Sequence, residues 1–433
     1  MHRIILAAIA AAMTLLATAQ TVEDCQAGSL STRVDNHAIT TLEVSGHIDA
    51  RDFRFIADSL RHLTRLDLGA TVIDAYRGDA LFGNVNEYRA DEVPSLSLAS
   101  LLELTHLVLP QTATHLADGC LSGCTALTSV SLPRRLSHIG DYALTGCSQL
   151  AVVAVPQSLS HIGDGAFSNC ASLQSVTMTT APAGDTLTVA AASLSIGERA
   201  FAHCPLLKTV SLGDRLNSLG REALAATGLE QLSLGEQHQL TALPDWVLSQ
   251  TPLTQLTLPA NLQELGDGAL MGADALSTLS LPATVDYIGS FAMAYTTGLT
   301  QLESKASEVP LLGDSVWYGI DQSKVLLKVS PQSLEDYRLA PQWCNFMTAS
   351  LPRGDVNGDG KVDIADVNII INIMLGRDNA NKYDGRAYVT DDNVIDIADA
   401  NTVINLMLAH KLAMQRAAER ARLAGLRHAA SLR

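Results

Sequence analysis

The residues best suited to chemistry lie in a loop-like segment near the carboxyl end of the sequence, residues 355–366. Oxygen-bearing side chains occupy its positions 1, 3, 5, 9 and 12, which are Asp355, Asn357, Asp359, Asp363 and Asp366. Ca²⁺ takes about six to eight oxygen ligands, a glycine at position 6 permits the sharp turn, and a backbone carbonyl serves at position 7. Gly360 and Lys361 stand at those two positions. The segment therefore predicts a calcium-binding loop, followed by a helix over 367–375.

A second copy of this segment follows 33 residues later, where 396–408 repeats the pattern of 363–375. The second loop differs, because Tyr388 replaces the carboxylate of position 1, Thr390 replaces Asn357, and Asn393 replaces Gly360. The remaining donors are Thr390, Asp392, the carbonyl of Val394, Asp396 and Asp399. Fewer charged ligands weaken calcium affinity. The sequence thus predicts one firm calcium site and leaves the occupancy of the second open.

Two loop-helix halves of this kind resemble a type I dockerin, and the resemblance covers 354–409. It departs from an ordinary EF-hand in having Asp at position 12 and no clear helix before the first loop. The resemblance implies calcium in each half and docking onto a cohesin-like module. It also assigns partner contacts to loop positions 10 and 11, which are Ile364, Ala365, Ile397 and Ala398. The two halves would present nearly the same apolar face and dock in either orientation.

The element that must carry this module is a long internal repeat. Units begin at residues 104, 127, 150, 173, 207, 229, 253, 276 and 299. A fixed period of this size is typical of a stacked array. Each unit opens with alternating apolar residues, which predict a short strand. In its second half Ile162, Ala166 and Phe167 have the spacing of a short helical turn, with Gly163 as a turn point.

Phrases such as residues 156–170, Pro-Gln-Ser-Leu-Ser-His-Ile-Gly-Asp-Gly-Ala-Phe-Ser-Asn-Cys, resemble the BspA type of bacterial leucine-rich repeat, over roughly residues 20–350. The fold class expected is an α/β leucine-rich repeat solenoid of about 23-residue units, followed by a small all-α calcium-binding module with paired, EF-hand-like loop-helix halves. The resemblance implies a secreted or cell-surface protein that binds other macromolecules. It names no ligand.

The chain order follows from these elements. Residues 1–19 form a predicted signal peptide, with a charged start, a short apolar run and the small residues Ala17 and Ala19. A cap with diverged repeats is expected at 20–103, including a polar loop at 77–100. The solenoid and its closing cap follow at 104–349, the module at 354–409, and a basic helical tail at 410–433. No later apolar run is long enough to span a membrane.

Composition agrees with an exported binding protein. The 29 basic and 45 acidic residues give a net charge of −16, which disfavours nucleic acid as a partner. Five cysteines recur in two slots of the repeat and predict small buried side chains rather than a metal site, although a disulfide between neighbouring units stays open. They are Cys120, Cys124, Cys147, Cys170 and Cys204.

The array offers no catalytic constellation. Its expected outward column holds neither a carboxylate pair nor a run of aromatic rings, and runs Val108, Ser131, Ala154, Thr177, Ser211, Ser233, Thr257, Ser280. The leading hypothesis is a non-catalytic exported protein whose array recognises a protein or host surface and whose module tethers it; in the rival hypothesis the array binds glycan or a scaffold. The alternative is an accessory component of a complex in polysaccharide catabolism. A third reading is that calcium only stabilises the chain.

Overall fold

The computed structural model describes residues 19–179, 193–211, 215–234, 240–348, 351–390, 392 and 394–431. The predicted signal peptide, apart from Ala19, lies outside the described residues. So do residues 180–190, which belong to an insertion expected from the long step between the units that begin at 173 and 207. The described chain forms two compact units. The first runs to Leu232 and includes Leu240 and Trp246–Pro252, and the second holds 233–234, Thr241–Asp245 and everything from Leu253 onward.

The first unit opens with a cap built from three parallel strands and two helices. These are β1 Ala19–Cys25, α1 Leu30–Arg33, β2 Thr41–Ile48, α2 Ala50–Ser59 and β3 Arg65–Ile73. Leu42 on β2 lies opposite Leu66 on β3, and both side chains are buried. Asp49 and Asp52 form a capping box at the start of α2, which satisfies amides that the first helical turn leaves free.

Residues 76–88 form an antiparallel hairpin of β4 Tyr76–Phe82 and β5 Val85–Tyr88. The hydroxyl of Tyr88 accepts hydrogen bonds from the amides of Leu81 and Phe82 at 2.8 and 2.9 Å and donates to the carbonyl of Val85 at 2.6 Å. The expectation of a polar loop at 77–100 was therefore wrong in this part. The following strand, at 92–93, already belongs to the stacked coils.

The coils of the first unit each give one strand to each of two parallel ladders. In chain order the strands are β6 Glu92–Val93, β7 His106–Val108, β8 His115–Leu116, β9 Ser129–Ser131, β10 His138–Ile139, β11 Val152–Val155, β12 His161–Ile162, β13 Ser175–Met178, β14 Leu194–Ile196, β15 Thr209–Ser211, β16 Leu216–Leu219 and β17 Gln231–Ser233. One ladder runs β6-β8-β10-β12-β14-β16, and the other runs β1-β2-β3-β7-β9 and then β11-β13-β15. The solenoid prediction is confirmed.

The second half of each coil differs from the predicted helical turn. In the unit that begins at residue 127, Tyr142 and Gly146 have left-handed backbone angles, with φ of 54° and 71°. Residues in this conformation cannot continue an α-helix. Gly163 is needed for another reason than a turn. A Cβ there would lie 2.5 Å from Oδ1 of Asp141 and 2.6 Å from the carbonyl carbon of Gly140, so the glycine lets neighbouring coils approach.

Buried cysteines hydrogen-bond successive coils together. The thiol of Cys124 donates to the carbonyl of Leu98 at 3.1 Å, and Cys147, Cys170 and Cys204 make the same contact at 3.2–3.4 Å. In the second unit Thr296 fills this slot and donates to the carbonyl of Leu270 at 3.1 Å. Burial raises the pKa of Cys124 to about 11, so the thiol stays protonated and able to donate. The slot therefore selects small donors.

The second unit continues with parallel coils and ends in helices. Its strands are β18 Ala242–Leu243, β19 Gln255–Thr257, β20 Glu264–Leu265, β21 Thr278–Leu281, β22 Tyr287–Ile288, β23 Gln301–Ser304, β24 Leu311–Leu312, β25 Leu326–Lys328 and β26 Met347–Thr348. The helices are α3 Leu334–Leu339, α4 Ile364–Met374 and α5 Ile397–Ser431. Trp317, Tyr337 and Trp343 are buried against one another after the last coils, with ring centroids 5.0 and 5.3 Å apart, and close the core.

Candidate calcium-binding module

The loops and helices after residue 352 have a small core of their own. Its buried residues come from both halves and from the turn between them, and are Val356, Val367, Ile370, Tyr383, Ala387, Val389, Ala400 and Val403. Val367 on α4 and Ala400 on α5 occupy equivalent positions, 33 residues apart. The shared core brings the two repeated halves together, so each loop stands immediately before the helix that it introduces.

The first loop is organised around Asp355, whose side chain is buried. Its Oδ1 accepts hydrogen bonds from the amides of Gly358 at 2.7 Å and Asp359 at 3.2 Å, and its Oδ2 accepts from Gly360 at 2.8 Å. Gly358 and Gly360 both have positive φ, 80° and 86°, which other residues adopt only with strain. The glycine predicted to permit the turn does so, and the chain wraps around one carboxylate.

Asp366 at position 12 closes the same loop from the first turn of α4. Its Oδ1 accepts from the amides of Val356 at 2.8 Å and Asn357 at 3.0 Å, and its Oδ2 accepts from Asp363 at 2.8 Å. Asp363 caps the helix and accepts from the amide of Ala365 at 2.7 Å. Positions 9 and 12 therefore serve the helix start as well as the loop.

The second loop keeps the helix start but lacks the central carboxylate. Oδ1 of Asp399 accepts from the amide of Thr390 at 2.8 Å and its hydroxyl at 3.1 Å, and Oδ2 accepts from the amide of Asp396 at 3.0 Å. Oδ1 of Asp392 accepts from the amide of Val394 at 2.9 Å. Asn393 lies outside the described residues. Position 1 is Tyr388, which brings no carboxylate to the loop.

The electrostatics of the two position 12 carboxylates differ. Burial raises the pKa of Asp366, and the nearby charge of Asp355 adds to that rise, against the hydrogen bonds that lower it. Burial also acts to raise the pKa of Asp399, but its hydrogen bonds outweigh burial and the pKa is lowered. The first loop thus holds two buried carboxylates that repel each other. The second holds one that the protein already stabilises.

Two arginines tie the loops together in a reciprocal way. Nε and Nη2 of Arg353 donate to the carbonyl of Val389 at 2.9 and 2.6 Å, and Nε of Arg386 donates to the carbonyl of Val356 at 3.1 Å. Each arginine lies two residues before its own loop and reaches position 2 of the other. The sequence alone did not indicate this pair, although its 33-residue offset is the same as that of the two halves.

An exposed apolar face is present in both halves. Ile364 and Ile397 are each 59% exposed, Leu375 and Leu408 are 59% and 60% exposed, and Ala365 and Ala398 are also exposed. Ile371 and Ile404 continue this face along α4 and α5. The structure therefore places all four predicted partner residues at the surface, at equivalent positions of the two helices. Contiguous exposed apolar residues are typical of interaction sites.

The donors of the first loop fit a hard cation, because they are carboxylate, amide and carbonyl oxygens. Oδ1 of Asp355 and Oδ1 of Asp366 each already accept two backbone amides, but the Oδ2 atom of each accepts only one and keeps a lone pair for a cation. Within the described ranges, no three or more His, Cys, Asp or Glu side chains are already arranged as a metal cluster. Asn357, Asp359, Lys361 and Asp363 complete the predicted ligand set. Position 1 lacks a carboxylate in the second loop, so its donors fit less well.

The fold and the module together define a class, a parallel β-solenoid of leucine-rich coils joined to a paired loop-helix domain. The family model for the BspA type leucine rich repeat region matches residues 92–183 and 185–322 in six copies, and the chain belongs to that family. The model for the dockerin type I domain matches residues 353–408. Both resemblances drawn from the sequence are confirmed.

Solved structures of similar proteins include a leucine-rich repeat protein from Bacteroides ovatus, 18% identical, covering 62% of this chain and 90% of that one with a TM-score of 0.25. A leucine rich cell surface protein from Faecalibacterium prausnitzii is 13% identical; the match covers 63% of this chain and 89% of that one, with a TM-score of 0.25. A leucine-rich repeat protein from Eubacterium ventriosum is 16% identical; the match covers 72% of this chain and 80% of that one, with a TM-score of 0.32. Among curated proteins nothing matches.

Among the residues that the structure describes, no helix combines the length and hydrophobicity needed to cross a bilayer.

Proposed function

We propose that the protein is an exported, non-catalytic binding protein whose repeat array recognises a macromolecule and whose dockerin domain tethers it to a cohesin-like module. The observation that carries the tethering role is the doubled apolar face of Ile364, Ala365, Ile397 and Ala398, since nearly identical exposed residues recur on both helices. These side chains are exposed, so they do not pack inside their own module. A partner that covers one copy would meet the same surface on the other.

Calcium has a clear part in this proposal. The first loop would hold it through Asp355, Asn357, Asp359, Asp363, Asp366 and the carbonyl of Lys361; when bound, the ion supplies positive charge between carboxylates that otherwise repel. The second loop would offer Thr390, Asp392, the carbonyl of Val394, Asp396 and Asp399. Asp363 and Asp366 also start α4, the helix that carries Ile364 and Ala365. An ordered loop therefore fixes the direction of the docking face.

Export and placement belong to the same proposal. Residues 1–19 act as the signal peptide, and the protein works outside the cell or at its surface. The cap at 20–103, the solenoid at 104–349, the module at 354–409 and the basic tail at 410–433 are its parts. Families of leucine-rich repeats and dockerins of this type are typical of extracellular proteins, which supports this location.

Surface plasmon resonance with an immobilised type I cohesin tests the tethering role. The full chain in calcium should bind, and chelation of calcium should release it. Ile364→Asp and Ile397→Asp alone should each leave binding, since the other face remains, whereas the double variant should lose it. A double variant that binds like the parent would refute the docking face. Ser131→Asp, at an exposed position of the repeat array outside the module, is the matched control.

The alternative is an accessory role in a polysaccharide-degrading complex, where the array would bind glycan. The dockerin type I match supports it, because such domains typically attach proteins to those assemblies. A glycan array probed with the full chain, beside a pull-down of surface proteins by the same material, separates the two. Glycan binding that survives the double module variant would favour the alternative, and protein capture alone would favour the main proposal.

A further inference from the structure

Three histidines stack along one ladder of the first unit, on the outer side of the coils. His115 on β8, His138 on β10 and His161 on β12 are direct cross-strand partners. The rings of His115 and His138 lie 4.5 Å apart and nearly parallel, at 10°, and those of His138 and His161 lie 5.9 Å apart. The adjacent residue on each strand points into the core, so the rings face outward.

Hydroxyl groups fix which ring nitrogen is free. The single proton of Ser137 Oγ goes to the carbonyl of Thr114 at 3.0 Å, so Nδ1–H of His138 must donate to Ser137 Oγ at 2.8 Å. Thr114 repeats the arrangement, donating to the carbonyl of Asp91 at 3.3 Å and accepting from His115 at 2.9 Å. Each Nε2 therefore keeps a lone pair for a ligand.

Ser195 gives His161 the same orientation. It donates to the carbonyl of Ser160 at 3.3 Å and accepts from Nδ1 of His161 at 2.9 Å. A neutral imidazole whose Nδ1–H is held by a neighbouring group is the usual form of a metal-ligating histidine. Burial lowers the pKa of His115 and His138, with nearby Arg89 adding to the effect on His115 and the two other histidines on His138.

We infer that His115 and His138 form a binding site for a divalent transition-metal ion such as Zn²⁺, with His161 as a further imidazole beside it. Zinc binds imidazole nitrogen at about 2.0–2.1 Å, so two ligands of one ion stand roughly 3–3.5 Å apart. The lone pair of each Nε2 lies in its ring plane, and the planes of His115 and His138 are now nearly parallel, so both rings must turn about their side-chain bonds for the two lone pairs to meet at one ion. No three such side chains in the described part of the chain already converge, so water completes the coordination.

The chain supplies a matched control in His106 on β7. Its Nδ1 pairs with Thr105 Oγ1 at 2.8 Å, and Thr105 donates to the carbonyl of Thr64 at 2.8 Å, so the same free nitrogen results. Its cross-strand neighbours, however, are Arg65 and Ser129 rather than histidines. His106 thus has the orientation without the second ligand. Loss of His106 should leave zinc binding unchanged.

Titration calorimetry of the full chain with Zn²⁺, in excess Ca²⁺ so that the loops do not compete, tests the site. We expect His115→Ala and His138→Ala to weaken binding by more than about a hundredfold, because losing even an outer partner of a ligand costs about 10–100-fold. His161→Ala should have a smaller effect. Equal binding by parent and His138→Ala, or loss in His106→Ala, would overturn the inference.

Folding is checked by thermal unfolding of each variant without zinc. If His138→Ala unfolds early, His138→Gln keeps a polar side chain of similar reach and is titrated instead. Parent protein that takes up no zinc would show a purely structural stack and would also overturn the site. These outcomes are independent of the tethering proposal, because the histidines and the dockerin domain are distant in sequence and bind different classes of ion.

Discussion

The two halves of the dockerin domain use the same aspartate in different settings. In the first, Asp366 shares its loop with a second buried carboxylate, Asp355, which is surrounded by three backbone amides. In the second, Asp399 has no such neighbour, because Tyr388 takes that position, and it receives the Thr390 hydroxyl as an additional donor. The first eleven residues of the two helices that follow are identical at seven positions.

The difference between the two halves distinguishes two roles of the position 12 aspartate, which are starting the helix and binding calcium. In both halves the position 12 carboxylate accepts from the amide of the helix cap at position 9, and this role needs only backbone amides. Binding calcium needs several negative oxygens close together, which costs stability while the cation is absent. The raised pKa of Asp366 indicates that the first half is destabilised in this way. The lowered pKa of Asp399 indicates that the second half is not. We therefore expect the second half to keep its fold and the proposed docking face without requiring the ion.

Removing the central carboxylate should have the largest effect. Asp355→Ala takes away the group around which the first loop turns, and Asp366→Ala removes position 12, so either should abolish the firm calcium site. The number of tight calcium sites measured by titration calorimetry should fall from one to none. Asp399→Ala, the equivalent change in the second half, is the matched control and should leave the tight site in place. Unchanged stoichiometry in Asp355→Ala would refute the assignment of the first site.

Restoring the missing carboxylate tests the comparison from the other side. Tyr388→Asp should give the second loop its position 1 ligand and add a measurable calcium site to the one already present. Its affinity should stay below that of the first loop, because Asn393 replaces the glycine of position 6. Tyr388→Asn is the control, since it removes the ring without adding charge. If Tyr388→Asp bound no additional calcium, the lost carboxylate would not be what limits the second loop.

Much of this comparison was accessible from the sequence. The periods of about 23 and 33 residues, the oxygen-bearing positions proposed as ligands in the first loop and the substitution at Tyr388 can all be read from the sequence. Periodicity predicts which residues share a face, because every unit repeats the same contact with its neighbours. The burial of the cysteine slot and the exposure of Ile364 and Ile397 agree with that logic.

What the sequence did not predict depends on contacts between coils or halves. Gly163 was taken as a turn point, whereas the structure requires it because the preceding coil lies too close for a Cβ. The hairpin of 76–88 depends on one hydroxyl, that of Tyr88, bonding three backbone groups. Arg353 and Arg386 carry no signal in their own halves, since each acts on the other. Hydrogen bonds across the chain leave no local pattern to find.

The smallest expected effect concerns the cap alone. Asp399→Ala leaves the donors of Thr390 and Asp396 without their acceptor, which costs about 1–3 kcal/mol where such groups are buried. Hydrogen exchange over residues 388–400 should quicken accordingly, with calcium present or absent. Asp366→Ala in the first half should quicken exchange over 355–367 too, and by more in calcium, because the ion is lost with the cap. If each variant quickened hydrogen exchange equally with and without calcium, the proposed difference between a calcium-binding first half and a second half that only starts its helix would be refuted.

The pH dependence follows from the same carboxylate. The folded-state pKa of Asp399 is lowered, so the folded protein binds its proton less readily than the unfolded chain, and the stabilisation is present above the unfolded pKa of about 3.9. It is lost as pH falls through the lower, folded pKa. Exchange over 388–400 should therefore show an acid-dependent loss of protection below about pH 4 in the parent, after correction for the intrinsic exchange rate. Asp399→Asn should lack that component, and an unaltered pH profile in Asp399→Asn would show that another group controls the second half.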